Sequence, residues 1–205
     1  MSSGLVTAIV IAGLAVIVVR RRLFTIGLVG AQSAMLGLGA LQLSSGRSGE
    51  FLVASLVLVT KAAVLPALLL IAMRRTREPR MIAPAFSTPA RFALAAAIGL
   101  GAGALTPEFG LHDAHVERAA IAILLTGIAI VALRRPALLQ VIGLVVAENG
   151  VALLAISVPG GLSYVVELGA VFDLVLVVTV ASAFAQRIHE DLGTGDTELL
   201  RGLRD

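Results

Sequence analysis

The chain has 205 residues, of which 58% are hydrophobic and only 14% charged, too little polar chemistry to cover a soluble domain of this size. It has no Cys, no Trp and one Tyr, which excludes disulfides, thiolate metal sites and an indole belt. The net charge of +3 comes from arginines clustered at the ends of apolar runs, a pattern of membrane topology that argues against nucleic-acid binding.

In chain order, the sequence predicts an all-α integral membrane protein with about seven transmembrane helices. The first span, Gly4 to Val19, has no basic residue before it and Arg20, Arg21 and Arg22 after it, the pattern of a retained helix with its amino terminus outside. Further spans are predicted over Leu23 to Leu43, Phe51 to Met73, Phe92 to Thr106, Ala119 to Leu133, Ala137 to Val158 and Leu162 to Gln186. Several are near the shortest length that crosses about 30 Å of hydrocarbon. The fourth, with Ala95, Ala96, Ala97, Gly99, Gly101 and Gly103, has side chains small enough for close packing as well as spanning.

Charge decides in favour of that fourth helix. With seven spans, Arg74, Arg75, Arg77, Arg80, Arg91, Arg134, Arg135, Arg187, Arg201 and Arg204 join the first three arginines on the cytoplasmic side. Only Arg47 and Arg118 are left outside. Removing the span would place Arg134, Arg135 and Arg187 outside. The carboxyl terminus is expected in the cytoplasm, and the loops outside the membrane are too short to hold a soluble catalytic domain.

An internal repeat organises the spans. Gly13 to Arg21 aligns with Gly127 to Arg135, and Ile26 to Gln32 aligns with Ile142 to Glu148. The chain therefore divides into a three-helix unit over 1–80, a linking helix with its loops over 81–116, a second three-helix unit over 117–188 and a cytoplasmic tail over 189–205. One intervening helix makes the two units parallel. In this register Gln32 occupies the place of Glu148, and Lys61 falls within a residue of the place of Asp173.

Three acids, Glu148, Glu167 and Asp173, lie where a lipid-embedded helix carries none. Each costs about 3 kcal/mol at mid-bilayer. At 1.5 Å per residue, Glu148, Asp173 and Lys61 fall near the middle of their spans, while Glu167 lies close to the outer end. Glu167 and Asp173 are turned about 120° from each other, so they face different neighbours. Desolvation favours a neutral carboxylate and a nearby cation the charged one; a site balanced between the two loads and releases a proton. The acids read either as a proton relay or as permanently paired helix contacts. Lys61 reads as a snorkelling cation, a partner for an acid, or a relay member. Pro66 in the same span opens the backbone ladder beside it.

Other polar groups carry less. His112, Asp113 and His115 have a His-x-x-His spacing in the outer loop between Pro107 and Arg118, where a solvated loop competes with a metal site. Gly160 and Gly161 after Pro159 form an outer turn. No nucleophile elbow, phosphate-binding loop or metal-ligand cluster is present in the sequence.

Arg134-Arg135-Pro136, Gln140 to Leu144, Glu148-Asn149-Gly150, and Glu167-Leu168-Gly169 with Asp173 resemble the membrane subunit hydrogenase-4 component E over the whole chain. The second half is also similar to the K subunit of respiratory complex I and to the C subunit of multisubunit, Mrp-type cation/proton antiporters. The K subunit has a glutamate directly after the Gly-Leu of its second helix; here Val145 holds that place, and Glu148 follows one turn later on the same helix face. The K subunit's second glutamate falls near Asp173.

The resemblance implies a non-catalytic subunit, with no cofactor of its own, in the inner-membrane arm of a hydrogenase-4 or formate-hydrogenlyase type complex. Its implied partners are antiporter-like and complex I-like membrane chains and a soluble redox module. Glu148, Asp173, Glu167 and Lys61 would then contribute to a proton or cation path. Two other functions fit the same residues: a scaffold whose acids pair with neighbouring subunits, and a subunit of an antiporter without a redox module.

Overall fold

The structure is a computed structural model. It describes residues 2–43, 60–75, 87–105, 113–134 and 137–157, with Val175, Val178 and Ser182 as isolated positions. Among the described residues the regular structure is all-helical: α1 (Ser3–Val18), α2 (Arg22–Leu43), a π-helical turn (Thr60–Val64) leading into α3 (Leu65–Arg75), α4 (Thr88–Leu105), α5 (Ala114–Leu133) and α6 (Ala137–Ser157). Apart from those three positions, the expected seventh span lies outside the described residues, and Glu167 and Asp173 with it. So does the start of the third, from Phe51 to Val59.

Valine and isoleucine make α1 a poor helix on propensity alone. Its backbone groups are nevertheless satisfied within the segment, and Val6, Ile9, Val16 and Ile17 are buried against neighbouring helices. Short connections fold α1 with α2, and α5 with α6, into two helical hairpins. The hairpins lie side by side, α1 touching α5 and α2 touching α6, while α4 closes the open side of α1 and α5. The third helix packs through its π turn on α2 and reaches α6.

Small residues set the spacing within the second hairpin. A Cβ on Gly127 would meet the backbone of Ala147; one on Gly143 would come within 2.9 Å of Gly127 O; one on Gly150 would meet Leu124 N at 2.7 Å. Three glycines on facing surfaces thus bring the α5 and α6 backbones into contact, as in small-residue packing of membrane helices.

Among the described residues, two helices are long and apolar enough to cross a membrane: Arg22–Gln42 within α2, and α5. The other apolar stretches, Ser3–Val18, Lys61–Ile71, Thr88–Ala102 and Leu138–Leu154, are shorter. Two boundaries differ from the sequence expectation. The fourth helix begins at Thr88 instead of Phe92, which brings Arg91 into its first turn. The fifth begins at Ala114 instead of Ala119, because Asp113 accepts hydrogen bonds from the N–H groups of His115 and Val116 (2.9 and 3.4 Å) and caps the helix. His115 and Arg118, expected in a loop, are therefore helical.

Candidate functional site: a buried polar core with an ion pair

The polar residues of the apolar helices converge. On α2, Gln32 and Ser33 are fully buried, as is Asn149 on α6. Gly13 leaves room on α1 for the Gln32 amide, whose Nε2 would meet a Cβ there at 2.8 Å. Seated against that glycine, Gln32 Nε2 donates to Ile9 O at 3.2 Å. Its Oε1 accepts from Asn149 Nδ2 at 3.2 Å, and the same Nδ2 is 3.1 Å from Ser33 Oγ. A weaker contact of 3.5 Å returns from Ser33 Oγ to Asn149 Oδ1. Three helices are joined by one amide and hydroxyl network, which lowers the cost of burying these groups.

One residue before Asn149, Glu148 is turned about 100° around α6 and faces the third helix. Lys61 Nζ lies 2.7 Å from Glu148 Oε1, with the lysine side chain 5% and the glutamate side chain 18% exposed. Lys61 belongs to the π turn that leads into α3, whose second residue is Pro66. Proline cannot donate to the carbonyl four residues back, that of Ala62, and its ring crowds that group; the wider i→i+5 spacing of the π turn accommodates this break. Gly30 receives the ring, since a Cβ there would be 2.9 Å from Pro66 Cγ. The backbone break, the glycine that accommodates it and the buried cation thus form one unit.

The structure therefore joins two of the four sequence-selected residues, Lys61 and Glu148. Glu167 and Asp173 lie outside the described residues. Chain order alone did not connect Lys61 to Glu148, because the pairing crosses between the two halves. Ser33 and Asn149 were not separated by the sequence from ordinary helix contacts, although consecutive polar residues inside an apolar run are a signal of this kind.

Glu117 was missed. It is 2% exposed in the first turn of α5, where the helix dipole favours a carboxylate. The Asp113 cap was the available sequence signal for an earlier helix start. Of the His-x-x-His pair, His115 is exposed on the helix and His112 lies outside the described residues. Among the described residues, no group of three His, Cys, Asp or Glu side chains is placed to hold a metal.

Comparison with known proteins gives one informative relative. Over 154 residues the chain is 31% identical to the uncharacterized protein Rv0085 of Mycobacterium tuberculosis (strain ATCC 25618 / H37Rv), covering 73% of this chain and 70% of that protein. The chain belongs to the Rv0085 family. No family model matches it, and no solved structure does. The name of that relative carries no activity, so function has to be argued from the polar core.

Proposed function

We propose that this member of the Rv0085 family is a multi-pass inner-membrane subunit that moves protons or cations as part of a larger assembly. The assembly is of the hydrogenase-4 or formate-hydrogenlyase type, with redox chemistry confined to partner chains. The observation that carries this reading is the 2.7 Å pair of Lys61 and Glu148 in a largely buried site beside a π turn. A carboxylate held by a movable cation has two stable states, charged and paired or protonated and released. A nearby break in helical geometry supplies backbone freedom for passing between them.

Membrane placement is supported by how the bundle distributes its polarity. Leu100 is 81% exposed, and Ile11, Leu23, Phe24, Ile128 and Val151 are exposed too, while Gln32 and Asn149 are wholly inside. An apolar exterior around a hydrogen-bonded polar core suits lipid better than water. In this reading seven spans run with the amino terminus outside, and Glu167 and Asp173 continue the path from Glu148. The sequence likeness to hydrogenase-4 component E supplies the class of assembly.

The competing function is a fixed structural pin, in which Lys61 and Glu148 never separate. Glu148→Gln and Asp173→Asn, introduced into the intact complex in membrane vesicles, decide between them. Loss of ion uptake with normal assembly supports translocation; normal uptake with failed assembly supports the pin. Mass spectrometry of the co-purified chains tests the assembly class: a hydrogenase-like large subunit is expected, whereas membrane chains alone would indicate an antiporter.

A further inference from the structure

At one end of the bundle the structure gathers Arg20, Arg91 and Arg134, and no described carboxylate pairs with them. The last carbonyls of α1 are taken by two of them: Arg134 Nη2 donates to Ile17 O at 2.7 Å, and Arg91 Nη1 to Val18 O at 2.8 Å. Arg91 Nη2 donates to Thr88 Oγ1 at 3.0 Å. These bonds complement the negative end of the α1 dipole, but they use only part of the donor capacity of two guanidiniums. Arg91 is 3% and Arg134 7% exposed. The Nε atoms of Arg91 and Arg20 are buried without a hydrogen-bond partner.

Arg20 and Arg134 are equivalent positions of the two repeats, and Arg91 joins them from α4. Burial, and then the neighbouring Arg91 and Arg20, hold the Arg134 guanidinium below the usual arginine value. Among the described residues no carboxylate pairs with these three arginines. Buried like charges brought together in this way are costly unless an anion balances them.

Beside the cluster a small, half-open cleft lies between α1, α4 and α5. Its walls are Ile17, Leu94, Ala129, Ile130 and Leu133, and Arg91 and Arg134 complete its lining. A free inorganic anion would use the guanidiniums and leave the apolar walls unoccupied. A phospholipid uses both.

We infer that Arg20, Arg91 and Arg134 bind the phosphate of an anionic membrane lipid, whose upper acyl chain lies against Leu94 and Ile130. The site rests on the membrane placement proposed above and is independent of ion translocation. Guanidinium groups match phosphate oxygens in bidentate geometry, and basic pockets between helices at the cytoplasmic face are suited to lipid headgroups.

The test is native mass spectrometry of the full-length chain, extracted from membranes with detergent, delipidated and titrated with phosphatidylglycerol, phosphatidylcholine or inorganic phosphate. Phosphatidylglycerol is expected to bind at one site in preference to phosphatidylcholine. Arg91→Gln with Arg134→Gln should weaken that site by about fivefold per arginine. Arg20→Gln, which leaves both α1 capping bonds in place, should weaken it by about fivefold and serves if the double variant does not fold. Exposed Arg74→Gln should leave it unchanged.

Equal binding of the two lipids, or equal weakening by Arg74→Gln, overturns the site while leaving membrane placement intact. Saturation by inorganic phosphate with no lipid preference overturns the lipid assignment. Recovery of the chain in the soluble fraction of lysed cells overturns both the site and the membrane placement.

Discussion

The two hairpins begin from the same pattern, an apolar helix with a central glycine, an arginine turn and a second helix, and they use the glycine differently. In the first, Gly13 makes room for a side chain: the Gln32 amide enters the hairpin and bonds to Ile9 O. In the second, Gly127 makes room for a backbone, that of Ala147. Once the α5 and α6 backbones are in contact, the hairpin has no place for a long polar side chain. Glu148, at the repeat position of Gln32, faces out of the hairpin toward Lys61. The same sequence position thus gives a fixed structural bond in one copy and an externally paired carboxylate in the other. Close packing in the second hairpin is what makes Glu148 available.

Removing the partner of that carboxylate is the strongest way to break the contrast. Lys61→Met keeps the length of the side chain and leaves Glu148 without its cation, which should destabilise the protein by about 3–5 kcal/mol. Thermal unfolding followed by circular dichroism in detergent measures this. Adding Glu148→Gln to the same chain should recover most of the loss, because the uncompensated charge is then gone. If ion uptake stays absent in the stabilised double variant, the pair matters for more than packing; recovered uptake would remove it from the path.

Parting the second hairpin comes next. Gly127→Ala sets a methyl against the Ala147 backbone, and a backbone cannot rotate away as a side chain can. A loss of about 2–3 kcal/mol is expected. Because α6 moves with Ala147, disulfide cross-linking between cysteines placed at 61 and 148 should also slow. Unaltered melting and cross-linking would show that the α5–α6 contact does not set the direction of Glu148.

Much of this was legible in the residues and some was not. The positions of the described helices were, because a run such as Ile142 to Ala147 offers no other way to satisfy its backbone in an apolar setting. Pro66 correctly marked a break, since a missing N–H is a local fact that no tertiary context restores. Helix starts at Thr88 and Ala114 did not follow from the apolar pattern, because capping and charged first turns extend a helix beyond its apolar segment. The Lys61–Glu148 pairing was not readable either: both residues announced themselves as costly, but which buried charges meet depends on how the two halves pack. The repeat even set Lys61 beside Asp173 by equivalence, whereas the structure sets it beside Glu148 by contact.

Asn149 joins the two hairpins, and Asn149→Leu tests whether their polar cores are one network. It leaves Gln32 Oε1 and Ser33 Oγ without the donor they share, at a cost of about 1–3 kcal/mol. The variant should melt lower while Lys61 and Glu148 remain paired, since they face a different helix. Loss of ion uptake with little loss of stability would make the amides part of the conducting path.

The mildest change is the first-hairpin counterpart of the second prediction. Gly13→Ala places its methyl against Gln32 Nε2, the far end of a flexible side chain, which can swing away and give up its bond to Ile9 O. The expected loss is that of one hydrogen bond, about 1 kcal/mol, half or less of that from Gly127→Ala. Measured side by side, the two alanines put the contrast between the hairpins to its most direct test. Equal losses would mean that Gly13 also holds two backbones together, and Gln32 and Glu148 would then differ in chemistry alone, not in the room their hairpins leave them.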